Sequence, residues 1–197
     1  MDKIIQKHFY ESSEVIKLMA THKKEISKIV KLILDCKKKN KKILVAGNGG
    51  SSADAEHFSG ELICTFNDRK RKPISAICLS SHPAAITAWS NDFGYETYFR
   101  RQVECHGEKG DLLFLLSTGG GDKNTSMNLV HAAKLAKKKG LKIISLIGKT
   151  GGVLKKISDE KIVVKSYVTA YIQEAHMSIM HCICECLDKL LAKNDKL

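Results

Sequence analysis

Between residues 4 and 36, apolar side chains recur at intervals of three and four: Val15, Ile16, Leu18 and Met19, then Ile26, Ile29, Val30, Leu32 and Ile33. That period predicts two amphipathic helices hinged near Thr21. Past residue 41 the pattern becomes short, continuous apolar runs at 42–47, 74–79, 112–116, 142–147 and 161–164. Runs of this length without alternation predict strands buried on both faces, as in a parallel sheet. Helical periods lie between them at 52–64, 82–90, 95–105 and 124–139, and a last one covers 170–192. The expectation is an α/β fold, a doubly wound five-stranded parallel sheet flanked by helices. It forms a single domain over 1–197, with a helical N-terminal arm (1–40) and an α/β core (41–197). Ligands of such sheets bind beyond the carboxyl ends of the strands.

Composition narrows the class. A chain of 197 residues that is 43% hydrophobic, with 14 Gly and 2 Pro, can bury a core and is neither disordered nor collagen-like. Its 33 Lys and Arg against 21 Asp and Glu give a net charge of +12, which attracts phosphates, nucleic acid or anionic membranes. The excess gathers at 37–42, 69–72 and 137–139 without interleaved aromatic residues, so these runs are expected to be solvated surface and nucleic-acid binding is disfavoured. The first 20 residues lack a secretory apolar stretch, and no run approaches the ~18 apolar residues of a membrane span. With an odd count of 7 Cys, the expectation is a cytoplasmic protein with free thiols. Cys182, Cys184 and Cys186 lack zinc-knuckle spacing and are expected as small core residues.

Candidate chemistry clusters at the ends of the strand runs. Gly47-Asn-Gly-Gly-Ser-Ser52 follows the first run and opens a helix, so backbone N–H groups and the helix N-terminus can face a phosphate or sugar. It has neither a Walker A lysine nor the GxGxxG pattern. A second such loop, Ser117-Thr-Gly-Gly-Gly-Asp-Lys-Asn124, follows the third run. His57 and Glu61, four apart on a helix, share a face and suit either a divalent metal or an acid–base pair. Gln173, His176 and His181 stand on an otherwise apolar helix. On an ideal helix Gln173 and His181 are ~12 Å apart along the axis and ~80° apart around it, too far to meet on one metal. Either the helix is irregular or the site draws groups from different subunits, which predicts an oligomer.

Taken together, the blocks Gly47-Asn-Gly-Gly-Ser-Ser-Ala-Asp-Ala-Glu-His-Phe-Ser-Gly-Glu61, Ser90-Asn-Asp-Phe-Gly-Tyr95, Ser117-Thr118, Ile172-Gln-Glu-Ala-His176 and His181 resemble sedoheptulose 7-phosphate isomerases (phosphoheptose isomerases) of the sugar isomerase (SIS) fold. The resemblance covers nearly the whole chain. It implies a homotetramer with active sites between subunits, converting sedoheptulose 7-phosphate to D-glycero-D-manno-heptose 7-phosphate for lipopolysaccharide or capsule. It implies zinc (Zn2+) held at His57, Glu61, Gln173 and His181, with Glu61 as base and His181 as acid. The substrate would meet Asn48, Gly49, Gly50, Ser51, Glu61, Asn91, Asp92, Ser117, Thr118, Gly119, Asp122 and Gln173. The other reading of the same fold is a non-catalytic tetrameric scaffold or sugar-phosphate-binding protein, of the type that binds a bacterial replication initiator.

Four positions depart from that family's pattern. Gly119 and Asp122 replace two serines of the second phosphate loop, Tyr171 replaces an arginine and Ser90 a glycine. A lost hydrogen bond to a charged group costs about 1.5–3 kcal/mol, and a carboxylate ~5 Å from a phosphate adds about 3 kcal/mol per charge pair. Either Asp122 turns away, Lys123 neutralises it, or the added glycines expose more backbone donors. The expectation is an intact metal set beside an altered substrate site.

Overall fold

A computed structural model of the protein describes residues 1–122 and 124–194, with side chains described as far as Ala192. Lys123, whose neutralising of Asp122 is one of the three alternatives above, lies outside the described residues. Among the described residues the strands are β1 (Ile43–Gly47), β2 (Ala76–Cys78), β3 (Leu112–Ser117), β4 (Lys142–Gly148) and β5 (Glu160–Val164). They form one parallel sheet of order β2-β1-β3-β4-β5. The five expected strands are all present, although the 74–79 run pairs only over three residues.

The helices are α1 (Asp2–Leu18), α2 (Lys23–Lys38), α3 (Gly50–Ile63), α4 (Pro83–Phe93), α5 (Tyr98–His106), α6 (Met127–Lys138), α7 (Leu154–Ile157) and α8 (Thr169–Asn194). A 3-10 turn at Met19–His22 forms the hinge expected near Thr21. Another at Tyr95–Thr97 delays the start of α5, and the short α7 has no counterpart in the sequence pattern.

Strand residues alternate between two cores. Ile43, Val45, Phe114 and Leu116 face α2, α3 and α8 through Ile29, Ile33, Phe58, Leu62, Ile179 and Ile183. Leu44, Leu113, Leu115 and Ile143 face α5 and α6 through Tyr98, Phe99, Val103, Leu129 and Ala133. Because both faces are covered, a strand such as Leu112–Ser117 is buried throughout, and its sequence is a plain apolar run.

A buried ion pair ties the layer of α3 and α8 to the loop between α3 and β2. Arg71 Nε lies 2.7 Å from Asp188 Oδ1, with the two side chains 2% and 4% exposed. Arg71 also donates to the carbonyls of Glu61, Leu62 and Cys64 at the C-terminal end of α3, where helix carbonyls lack intrahelical partners. Asp188 Oδ2 accepts from the backbone N–H groups of Asn67 (2.7 Å) and Asp68 (2.8 Å). Arg71 thus leaves the basic run at 69–72, expected as solvated surface, to become a buried helix cap.

The arm is less complete. In α1 only Ser12 is buried, while Ile4, Phe9 and Tyr10 are 74%, 70% and 69% exposed, which leaves large apolar side chains on more than one face of the helix without cover in the single chain. No residue of α4 is buried. Among the described residues no helix is long and apolar enough to cross a membrane. The seven cysteines are free. Cys184 is a core residue as expected, whereas Cys182 is exposed because the i, i+2 spacing turns it to another face of α8.

Candidate active site

In the sheet order, the chain reverses direction between β1 and β3, and the two glycine-bearing loops leave those neighbouring strands. That is the switch point at which doubly wound sheets open a crevice. In the first loop Gly47 is obligatory, since a Cβ there would lie 2.2 Å from Ser51 O. At Gly50 a Cβ would lie 2.3 Å from Gln173 Nε2, so the α8 side chain rests directly on the start of α3. Ser51 N and Ser52 N bond back to Asn48 O and Gly49 O, closing the turn on itself.

Asn48 projects from this turn into a polar network. Its amide exchanges hydrogen bonds with Asn128, Nδ2 to Oδ1 at 3.0 Å in one direction and 2.9 Å in the other, and Tyr95 OH donates to its Oδ1 at 2.8 Å. A cleft of about 230 Å³ lies here, lined by Asn48, Tyr95, Asn124, Ser126, Met127 and Asn128. Asn128 and Ser126 were not among the expected site residues. A lone asparagine in the apolar run of a helix was the available signal, and Asn128 is only 3% exposed.

The second loop is held by internal bonds. Gly120 N donates to the buried Ser117 Oγ (3.0 Å), and Ser117 Oγ lies 3.4 Å from Ser126 Oγ. Asp122, expected to confront a phosphate, turns its carboxylate onto its own loop and accepts from Asn124 N and Thr125 N, each at 2.8 Å. Those N–H groups hold the Asp122 carboxyl below the usual range. Gly119 has open space around it, and Thr118 lies half-buried beside it.

A second cluster sits farther along α3 and α8. His57 Nε2 lies 3.2 Å from Glu61 Oε1 and 3.3 Å from His181 Nε2, and the His181 ring stacks on Phe66 with centroids 5.5 Å apart. A cleft of about 380 Å³ opens along His57, Gly60, Glu61 and Thr65. One turn earlier, burial holds the Asp54 carboxyl above its ordinary range. Nitrogen and carboxylate donors of this kind suit zinc. The contacts run through His57 as a chain, however, and among the described residues no three His, Cys, Asp or Glu side chains surround one point ready to hold a metal. Gln173 lies at the opposite end of the helix pair, against Gly50.

Of the remaining expected residues, Asn91 and Asp92 bond to each other at 2.8 Å on the exposed end of α4. Tyr171 does not join the substrate crevice: it points the other way, its hydroxyl 3.2 Å from Glu11 of α1 and its ring 5.3 Å from His8. Residues 171 and 173 differ by about 200° around a helix, which explains the opposite facings. Ser90 Oγ is buried without a hydrogen-bond partner.

His176 belongs to the core. It is fully buried beneath the sheet, and neither ring nitrogen has a hydrogen-bond partner. Burial pushes its imidazole down to about 4, with the Ile147 backbone acting weakly in the opposite sense. The unfolded chain takes up that proton near pH 6.5 while the folded chain does not until about 4, so stability is full above 6.5 and falls as the pH drops through this window. Between pH 7 and 5 the loss is expected to be roughly 2 kcal/mol. Urea midpoints of wild type and His176→Leu should diverge in pH slope; equal slopes would refute a neutral buried imidazole.

A doubly wound sheet with two glycine-bearing loops and a polar crevice at its switch point defines a class of α/β proteins that hold small polar ligands at strand ends. The model of the SIS domain matches residues 8–148. A phosphoheptose isomerase of Helicobacter pylori is 40% identical over 193 residues, 98% of each chain. One from a Nitratiruptor species is 46% identical over 149 residues, 76% of this chain and 77% of that one. A solved phosphoheptose isomerase from Francisella tularensis superimposes with a TM-score of 0.88 at 32% identity, covering 95% of this chain and 97% of that one. The chain belongs to the SIS-domain family and, within it, to the phosphoheptose isomerases.

Proposed function

We propose that the protein is an aldose–ketose isomerase acting on sedoheptulose 7-phosphate, giving D-glycero-D-manno-heptose 7-phosphate for surface polysaccharide, in the cytoplasm. The observation that carries this reading is the pairing of a polar switch-point crevice with a separate His57–Glu61–His181 cluster, in a chain 40% identical over nearly its full length to a phosphoheptose isomerase. Isomerisation moves one proton between adjacent carbons. Glu61 takes a C1 proton, the C–H electron pair forms the C1–C2 double bond, and His181 donates a proton to the carbonyl oxygen, giving an enediol. Return of a proton to C2, with loss of the O1 proton, completes the aldose. His57, beside both groups, orients them.

His57, Glu61 and His181 are the side chains that would hold zinc, with Gln173 contributed from elsewhere. Bound there, zinc supplies a Lewis acid at the sugar oxygens. The donor chemistry supports this.

Geometry supports an oligomer with shared sites. Gly50 and Glu61 are separated by eleven helical residues, about 16 Å. An extended seven-carbon sugar phosphate spans about 10 Å, from carbon–carbon bonds of about 1.5 Å. A phosphate in the crevice and a C1 at Glu61 thus stand at opposite ends of α3, which supports a site that a neighbouring subunit helps to complete. The exposed apolar side chains of α1, Ile4 and Phe9 among them, and the uncovered α4 are the surfaces for such packing in a homotetramer.

The test is proton NMR of sedoheptulose 7-phosphate incubated with zinc-loaded protein. The aldose anomeric signal is expected to appear. Persistence of the ketose alone would overturn the isomerase and favour the scaffold reading.

A further inference from the structure

We propose that Asp122 is a built-in competitor for the anionic end of the substrate, so that affinity for a phosphorylated sugar depends on its carboxylate surrendering two backbone N–H groups. The inference rests on the reading of the switch-point crevice as the phosphate end of the site. Asp122 Oδ1 occupies both Asn124 N and Thr125 N at 2.8 Å, and Asp122 N donates to Thr125 O at 3.0 Å, so the turn is closed before any ligand arrives. Asn124 and Ser126 line the same cleft as Asn48 and Asn128, which sets these occupied donors at its rim.

The glycines that lead into this turn are held in place. Leu154 N donates to Gly120 O at 2.8 Å and Val153 N to Gly121 O at 2.9 Å, pinning the loop to the turn before α7. The fit is tight enough that a Cβ on Gly120 would lie 2.1 Å from Gly151 O. Ser117 Oγ, the buried hydroxyl of the loop, is engaged by Gly120 N. An incoming phosphate thus meets a loop in which the N–H groups of Gly120, Asn124 and Thr125 are already engaged, and the exposed Asp122 side chain holds two of them. That carboxylate is itself an anion bonded to N–H groups, as a phosphate oxygen would be. Competition for the donors and like-charge repulsion act in the same direction.

Two variants separate charge from hydrogen bonding. Asp122→Asn keeps an oxygen to accept from Asn124 and Thr125, and so keeps the turn, but removes the charge. Asp122→Ser replaces the charged acceptor with a weaker, neutral one and adds an O–H donor. With sedoheptulose 7-phosphate, KM is expected to fall several-fold in Asp122→Asn and about 10- to 100-fold in Asp122→Ser, with kcat within about threefold. The Kd for inorganic phosphate, from 31P NMR titration, should fall in parallel.

Unchanged KM and unchanged phosphate Kd in both variants, with wild-type turnover intact, would overturn the role of Asp122 while leaving the isomerase standing. Tighter phosphate binding in the variants without turnover by any of the three proteins would support the competitor and sink the isomerase reading instead. Tighter phosphate binding in Asp122→Ser alone would still support competition for the two N–H groups, whereas equal tightening in both variants would overturn it, because freeing the donors would then have counted for nothing.

Discussion

Glu61→Gln is expected to lower the turnover of sedoheptulose 7-phosphate at least about 10³-fold, within the range by which positioned general bases accelerate proton transfer. The substitution keeps shape and hydrogen bonding while removing the lone pair that accepts a proton. Glu61 is half-buried on α3, and His57 lies 3.2 Å from its carboxylate, so a neutral amide fits without repacking. The assembly seen by gel filtration should not change. Metal content distinguishes two roles for the carboxylate. After both proteins are incubated with zinc, loss of a base that is not a ligand leaves the zinc content of the variant equal to that of wild type, whereas loss of a ligand lowers it. Turnover within tenfold of wild type would end the assignment of Glu61 as base.

Asp188→Ala should destabilise the protein by about 3–5 kcal/mol, the cost of leaving one partner of a buried ion pair uncompensated. The stranded group is Arg71, with 2% of its side chain exposed, and two backbone N–H groups at Asn67 and Asp68 lose their acceptor as well. The change is far from the crevice but not from Glu61, whose carbonyl Arg71 holds at the end of α3. Turnover is therefore expected to fall together with stability. Urea denaturation at fixed protein concentration measures the first effect, since the apparent stability of the proposed oligomer depends on that concentration. A double variant, Arg71→Met with Asp188→Leu, should recover only part of the loss, because removing both charges removes their desolvation penalty but leaves the N–H groups of Asn67 and Asp68 and the carbonyls that Arg71 bonds without those partners. A single-variant loss under about 1 kcal/mol would show that water reaches the pair, as it does in exposed ion pairs.

Much of the fold was legible because strands buried on both faces leave an unbroken apolar run. Leu112–Ser117 and Lys142–Gly148 could be nothing else at that length, and the three-and-four spacing of Ile26, Ile29, Val30 and Ile33 placed α2. The two glycine-bearing loops were legible as strand-to-helix turns. Their meeting at one switch point was not, since strand order is a property of which edges pair and not of any local pattern. Arg71 shows the limit most clearly: in a run with Arg69, Lys70 and Lys72 its charge reads as surface, yet it is 6% exposed because α3 ends beside it with carbonyls that lack intrahelical partners and α8 supplies Asp188. His176 shows the converse, a polar residue among candidate ligands that the packing of α8 on β4 turned into core.

By itself the sequence determined the α/β alternation, the five strands, the hinged arm and the family, because periodicity and short ordered motifs are local and survive in one dimension. It also placed His57 beside Glu61, since four residues make one turn of helix. Only the tertiary structure decided that His181 meets that pair while Gln173 rests on Gly50, two turns away. Only it showed Asn48, Tyr95 and Asn128 closing into one network, and Asp122 turned onto its own loop. These are contacts between segments up to 124 residues apart, set by how two helices align over a sheet and by which donors a loop leaves unpaired.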